Sequence, residues 1–104
     1  MSASDERAQE LAELFKALGN ETRLQMLHLL SKQALCVGAL ALRLNITQSA
    51  VSQHLAVLRR ARLVEAEKRG YFVHYRLAKG ARERCRAVLD EIIGSDQQEE
   101  CSHV

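Results

Sequence analysis

At Arg62 the spacing of apolar residues changes from a helical to a strand repeat, and that switch restricts the folds open to the chain. Well before it, Ala8, Leu11, Ala12, Phe15 and Leu18 recur at i, i+3, i+4 and i+7, the stripe of an amphipathic helix. After it, Val64 and Ala66 alternate with Glu65 and Glu67, and Val73, Tyr75 and Leu77 alternate with Phe72, His74 and Arg76. That is the two-residue period of strands. Between them Lys68-Arg69-Gly70-Tyr71 holds a glycine free to take positive φ, as a hairpin turn requires. The expectation is a run of helices followed by one β-hairpin.

The helical part divides at its own punctuation. Ser4 is a reasonable N-cap and Gly19 a stop for a first helix over 4–18. Asn20 is placed to cap a second, Glu21 to Lys32, which carries Leu24, Leu27 and Leu30 with Met26 beside them. A short extended piece, Ala34 to Cys36, precedes a third helix from Val37 to Leu44. Asn45-Ile46-Thr47 follows: Asn tolerates the left-handed backbone of a tight turn, Ile46 can plug the corner, and Thr47 can cap a fourth helix from Gln48 to Ala61. Two helices joined by so short a turn form a helix-turn-helix. A last helix, Lys79 to Ile93, aligns Ala81, Cys85, Val88, Leu89, Ile92 and Ile93, and Gly94-Ser95-Asp96 should end it. The expected fold is mainly α with a small hairpin (α+β): a winged helix-turn-helix of order α-α-α-α-β-β-α. Residues 1–94 would form one DNA-binding and dimerisation domain, and 95–104 an acidic, flexible tail. The terminal helices have more apolar face than one small core needs, so a second copy is expected to pack through the first and last helices.

Charge sharpens the reading. The chain has 104 residues and a net charge of only +2, but that balance is unevenly distributed. From Arg43 to Arg76 there are seven Lys/Arg against Glu65 and Glu67, whereas Asp90 to Glu100 holds five acidic residues and no basic one. A basic middle and an acidic end suit a polyanion-binding surface set apart from the rest. On the fourth helix Val51, Leu55 and Leu58 face the core, so Gln48, Ser49, Ser52, Gln53 and His54 lie in its first two turns on other faces. Amide, hydroxyl and imidazole groups on a helix are what base edges in the major groove require. Thr47 and the helix N-terminus suit a phosphate. Arg59, Arg60 and Arg62 at the far end, with Lys68 and Arg69 on the hairpin tip, are placed for phosphates, which supply salt-dependent affinity and register; Arg69 is long enough to enter the adjacent minor groove. A solvated polar face would look the same residue by residue; the combination of turn spacing, polar first turns and basic wing is more specific. A winged helix used for protein contacts alone is the competing binding role, and it predicts no steep salt dependence.

Other classes are disfavoured. No Ser/His/Asp arrangement, paired carboxylates on an apolar face, phosphate loop or open zinc site is present, so no enzyme and no small-molecule substrate are expected. No apolar run reaches the ~18 residues of a bilayer span, and MSASDERAQE is too polar for a secretory signal. Three widely spaced cysteines do not read as a disulfide framework. A cytoplasmic chain with reduced thiols, no membrane partner and no cofactor required for DNA binding is the expectation.

From Leu11 to Leu77 the chain resembles the ArsR/SmtB family of small dimeric repressors. LFKALGNETRLQMLHLL resembles that family's opening helices, and LCVGALALRLNITQSAVSQHLAVLRRARLVEAEKRGYFVHYRL its helix-turn-helix and wing; Val51-Ser52-Gln53-His54-Leu55 and Leu58-Arg59 are the most specific pieces. Ala61-Arg62 departs from it, since the family usually has Gly before Leu-Val. The resemblance implies a homodimer that binds a palindromic double-stranded DNA operator and is released by an inducer, a metal or a thiol-reactive species.

For the inducer, the family's sites are matched only in part. Its Cys-Val-Cys is Cys36-Val37-Gly38 here, and its zinc ligands on the last helix fall on Lys79, Gly80, Ala81, Ile92 and Ile93, which do not bind zinc. Cys36, Cys85 and Cys101 remain. Trivalent arsenic or another soft metal ion needs two or three converging thiolates. Cys36 stands near a helix N-terminus, which favours the thiolate; Cys85 lies on an apolar stripe, where Cys is often only a small hydrophobe; Cys101 is in a polar tail. Oxidation or reactive sulfur acting on two of these thiols is the alternative, weakened because relatives of that kind carry a Cys in the second helix, where this chain has His28. A winged-helix regulator without a metal inducer also stays open.

Overall fold

The computed structural model describes residues 3–94 and residue 101. Five helices and one hairpin follow in the expected order: α1 (Ala3–Leu18), α2 (Glu21–Leu30), α3 (Val37–Leu44), α4 (Gln48–Arg60), β1 (Val64–Arg69), β2 (Phe72–Leu77) and α5 (Ala81–Ile93). Ser4 lies inside α1 and does not cap it, because the helix already begins at Ala3. Asn20 is extended and its side chain accepts the backbone N–H of Arg23 at 3.0 Å, which satisfies one of the donors a helix start leaves orphaned. α2 stops at Leu30, two residues short of Lys32, where the Ser31 hydroxyl donates to the His28 carbonyl at 2.6 Å. α5 starts at Ala81, not Lys79, after Gly80 takes a left-handed conformation.

The core gathers one face of each helix. Leu14 and Ala17 from α1, Met26 and Leu30 from α2, Leu40 from α3, and Val51, Leu55 and Leu58 from α4 are buried together with Leu35, Leu63, Val64, Ala81 and Val88. Among the described residues no polar or charged residue is buried in it. Truncating one of these leucines to alanine costs ~2–5 kcal/mol.

The hairpin pairs Val64 with Leu77 through Arg69 with Phe72, so only Gly70-Tyr71 form the loop. Gly70 has φ +63° and Tyr71 no positive φ, the pattern of a two-residue hairpin with glycine first. The extended piece before α3 adds to this hairpin: the Leu35 N–H donates to the Tyr75 carbonyl at 3.0 Å, and the Tyr75 N–H to the Leu35 carbonyl at 2.8 Å. Burial does not follow the alternation as far as Ala66, which is exposed where Val64 is buried. On the opposite face Arg76 meets Glu65 at 2.7 Å and Glu67 at 3.6 Å.

Both ends of α4 are set by helix-ending turns. At the close of α3, Asn45 has φ +54°; its N–H reaches the Leu42 carbonyl, and the Ile46 N–H the Ala41 carbonyl at 3.2 Å. At the close of α4, Arg62 has φ +58°; its N–H bonds the Arg59 carbonyl and the Leu63 N–H the Leu58 carbonyl, both at 2.9 Å. Each is a Schellman motif, whose left-handed residue is usually glycine. Arg62 is the place where the chain departs from the family's Gly. Arg84 of α5 compensates: its Nη2 donates to the Ala61 and Arg62 carbonyls at 2.6 and 2.8 Å.

α1 and α5 are tied by a fork. Arg7 donates through Nε and Nη2 to the two carboxylate oxygens of Glu91, both at 2.9 Å, and through Nη1 to Glu10 at 3.0 Å. These hydrogen bonds, more than the bare charge, hold the Glu91 carboxyl below its usual range. The same two helices leave Phe15, Leu89, Ile92 and Ile93 exposed at 39, 45, 49 and 77%.

Candidate nucleic-acid interface

α4 presents its polar residues because its other side is buried. Val51, Leu55 and Leu58 are 0, 2 and 0% exposed, while Gln48, Ser49, Ser52 and Gln53 are all exposed. The Thr47 hydroxyl oxygen accepts the Ala50 N–H at 3.0 Å, so the helix begins where the polar run begins. Thr47 is itself exposed, at the positive end of the helix dipole. Amides and hydroxyls projecting from a capped, exposed helix start can pair with base edges, and the remaining N–H groups of that turn suit a phosphate oxygen.

Charge flanks this row on two sides. Arg59, Arg60 and Arg62 are exposed at the end of α4, and Lys68 and Arg69 at the wing tip beside a fully exposed Tyr71. Arg69 lies 3.4 Å from Glu67, both of them solvent-facing; such a surface pair is weak and yields readily to a phosphate.

His54 departs from the exposed row. It is half-buried, and its Nδ1 lies 3.3 Å from Nη1 of Arg23 in α2. Burial first, and the Arg23 charge second, hold its pKa below the ordinary histidine value. Two arginines that the sequence did not single out, Arg23 and Arg84, thus support the interface from behind. Both act on groups distant in the chain, and no local pattern marks them.

The thiols do not share an element. Cys36 is the N-cap residue of α3 and makes no side-chain cap bond. Cys85 is half-buried on α5 in an apolar recess with Leu18, Leu27, Leu63 and Leu77. Cys101 is exposed, and the rest of the expected tail, 95–100 and 102–104, lies outside the described residues. All three are free, and among the described residues no three His, Cys, Asp or Glu side chains converge as a metal-ligand set. Nor, among those residues, is any helix long and apolar enough to cross a membrane.

An exposed hydrogen-bonding helix, positioned by a helix-turn-helix and flanked by a basic wing, defines a DNA-binding protein of the winged helix-turn-helix class. Residues 20–66 match the family described as bacterial regulatory protein, arsR family. The chain is 39% identical over 87 residues to the arsenical resistance operon repressor of Escherichia coli K12, across 83% of this chain and 74% of that protein. It belongs to the arsR family, whose members are DNA-binding regulators and not enzymes. It is also 51% identical over 65 residues to the transcriptional activator HlyU of Vibrio cholerae, across 62% of this chain and 60% of that one. A homodimeric winged helix-turn-helix DNA-binding domain from Mycobacterium bovis, a possible ArsR-family regulator, superposes with a TM-score of 0.75 at 27% identity, covering 100% of this chain and 96% of that one.

Proposed function

We propose that the chain acts as a homodimeric repressor that reads a palindromic operator. Gln48, Ser49, Ser52 and Gln53 face base edges, Thr47 caps the reading helix beside a phosphate, and Arg59, Arg60, Arg62, Lys68 and Arg69 clamp the strands. The carrying observation is the division of α4 into a buried apolar face and an exposed polar one. Exposed Phe15, Leu89, Ile92 and Ile93 supply an apolar surface suited to a second copy, and the homodimeric relative supports that assembly. Repression is the mode of action supported by the similarity to two proteins described as repressors, the arsenical resistance operon repressor and a transcriptional repressor SmtB homolog.

The inducer in this reading is a thiophilic species, trivalent arsenic first. Support comes from that same relative and from the three free thiols. With no three-ligand set among the described residues of one subunit, a three-thiolate site draws on both subunits, and a two-thiolate contact or an oxidised thiol pair is the other use of these cysteines.

The experiment is a mobility-shift titration with a palindromic fragment from upstream of the gene. It is repeated at several salt concentrations and with arsenite or a persulfide donor added, on the parent and on Cys36→Ser, Cys85→Ser and Cys101→Ser. A sequence-selective shift that weakens steeply with salt and is abolished by arsenite is expected, with Cys101→Ser blunting the arsenite effect while operator affinity survives. Equal, salt-insensitive retention of any duplex would instead leave a protein-contact module. A shift abolished only by the persulfide donor would move the inducer to redox chemistry.

A further inference from the structure

We propose that Arg23 and His54 form a brace that couples the end of α1 to the tilt of the reading helix, with His54 a positioning residue and not a reader of bases. The inference rests on α4 being the reading helix, and it adds how that helix is held.

Arg23 sits in the first turn of α2 and uses its guanidinium in three directions. Nε donates to the Ala17 carbonyl at 2.7 Å, Nη2 to the Lys16 carbonyl at 2.9 Å, and Nη1 lies 3.3 Å from Nδ1 of His54. The two carbonyls belong to the last turn of α1, where acceptors have no partner within their own helix. Asn20, by taking the Arg23 backbone N–H, fixes the residue from which this fork springs. Arginine carries only donors, so Nδ1 of His54 must offer a lone pair. The imidazole is then neutral with its proton on Nε2, and one ring nitrogen is spent on the protein. His54 directly follows exposed Gln53 and precedes buried Leu55, at the border between the reading row and the core. A shift of the α1 terminus therefore moves the Lys16 and Ala17 carbonyls, with them the Arg23 fork, and through His54 the rotation of the row that meets DNA. α1 is also the helix that leaves Phe15 exposed, so rearrangement at that surface has a physical route to α4.

Asparagine tests the assignment, because its Oδ1 stands near the place of Nδ1 and accepts the same hydrogen bond without a titratable ring. Affinity is measured for the operator and for its single-base variants, with the melting transition of every protein checked. His54→Ala is expected to weaken operator binding about tenfold while keeping the rank order of the base variants, and His54→Asn to recover most of the loss. Arg23→Ala combined with His54→Ala should be no weaker than the worse single variant. In the free protein, nitrogen chemical shifts should report the Nε2–H tautomer. An asparagine variant as weak as alanine, multiplicative effects, a changed preference at one base pair, or a proton on Nδ1 would each overturn the brace. Gln53→Ala separates the two claims: if it leaves affinity and base preference untouched, the reading face is misassigned, whereas the tautomer and the coupling of the two residues in thermal unfolding still report on the brace.

Discussion

At one end of α4 the left-handed residue is Asn45; at the other it is Arg62. The backbone closes in the same way at both places, with paired bonds back to the preceding helix. The means differ. Asn45 tolerates its conformation unaided, and Thr47 two residues on caps the next helix with its own hydroxyl, so the leading turn is self-sufficient. Arg62 pays a left-handed penalty of ~1–2 kcal/mol, and the carbonyls of that turn are held by Arg84 from a different helix. The leading turn sets where the exposed polar row of α4 starts and is local; the trailing turn, which carries Arg62 beside Arg59 and Arg60, depends on the assembled fold.

Breaking the trailing support should have the largest effect. Arg84→Ala removes a charged donor shared by two carbonyls and should lower stability by about 2 kcal/mol in urea unfolding. A loss no larger than that of an ordinary surface arginine would dissolve the contrast between the turns. Thr47→Ala tests the leading turn and should cost ~1 kcal/mol, with Thr47→Ser close to neutral. Relief works in the opposite direction: Arg62→Gly should raise stability by up to ~1 kcal/mol, while the salt slope of operator binding falls by ~0.9 for the lost phosphate contact. Asn45→Gly, where there is little strain to relieve, should change stability by only a few tenths of a kcal/mol.

The smallest effect concerns pH and the brace behind the leading half of α4. Because the folded protein holds the His54 pKa below its ordinary value, the unfolded chain takes up that proton first. The stability from neutral His54 is complete above pH ~6.5 and is lost progressively as the pH falls from there to the folded-state value. Melting temperatures of the parent and His54→Asn, measured across that range, should diverge only on the acidic side. Parallel curves would mean that neither burial nor the Arg23 charge holds the imidazole neutral in the folded protein.

Much of the fold was legible because its signals are short-range. Asn20, Asn45 and Thr47 act within three or four residues of themselves, and the spacing of Val51, Leu55 and Leu58 needs only helical geometry to place Gln48, Ser49, Ser52 and Gln53 outside. The details that local spacing does not settle have equally physical causes. Ala66 follows the strand alternation but is exposed, outside the buried core. Leu89, Ile92 and Ile93 follow the helical stripe of α5 and stay exposed, the excess apolar face that the spacing led one to expect of a terminal helix. His54 reads as one more polar side chain until α2 is folded against α4, since its partner is 31 positions away.

By itself, then, the order of residues determined the elements, their caps and turns, and the polar face of α4, because helix periodicity and capping are settled between near neighbours. Only the tertiary structure decided that Arg23 joins α1 to His54, that Arg84 holds the turn strained at Arg62, and that the three thiols do not converge as a ligand set among the described residues. Those contacts join groups far apart in sequence, and a donor on one helix is matched to an acceptor on another only when packing has set the distance between them.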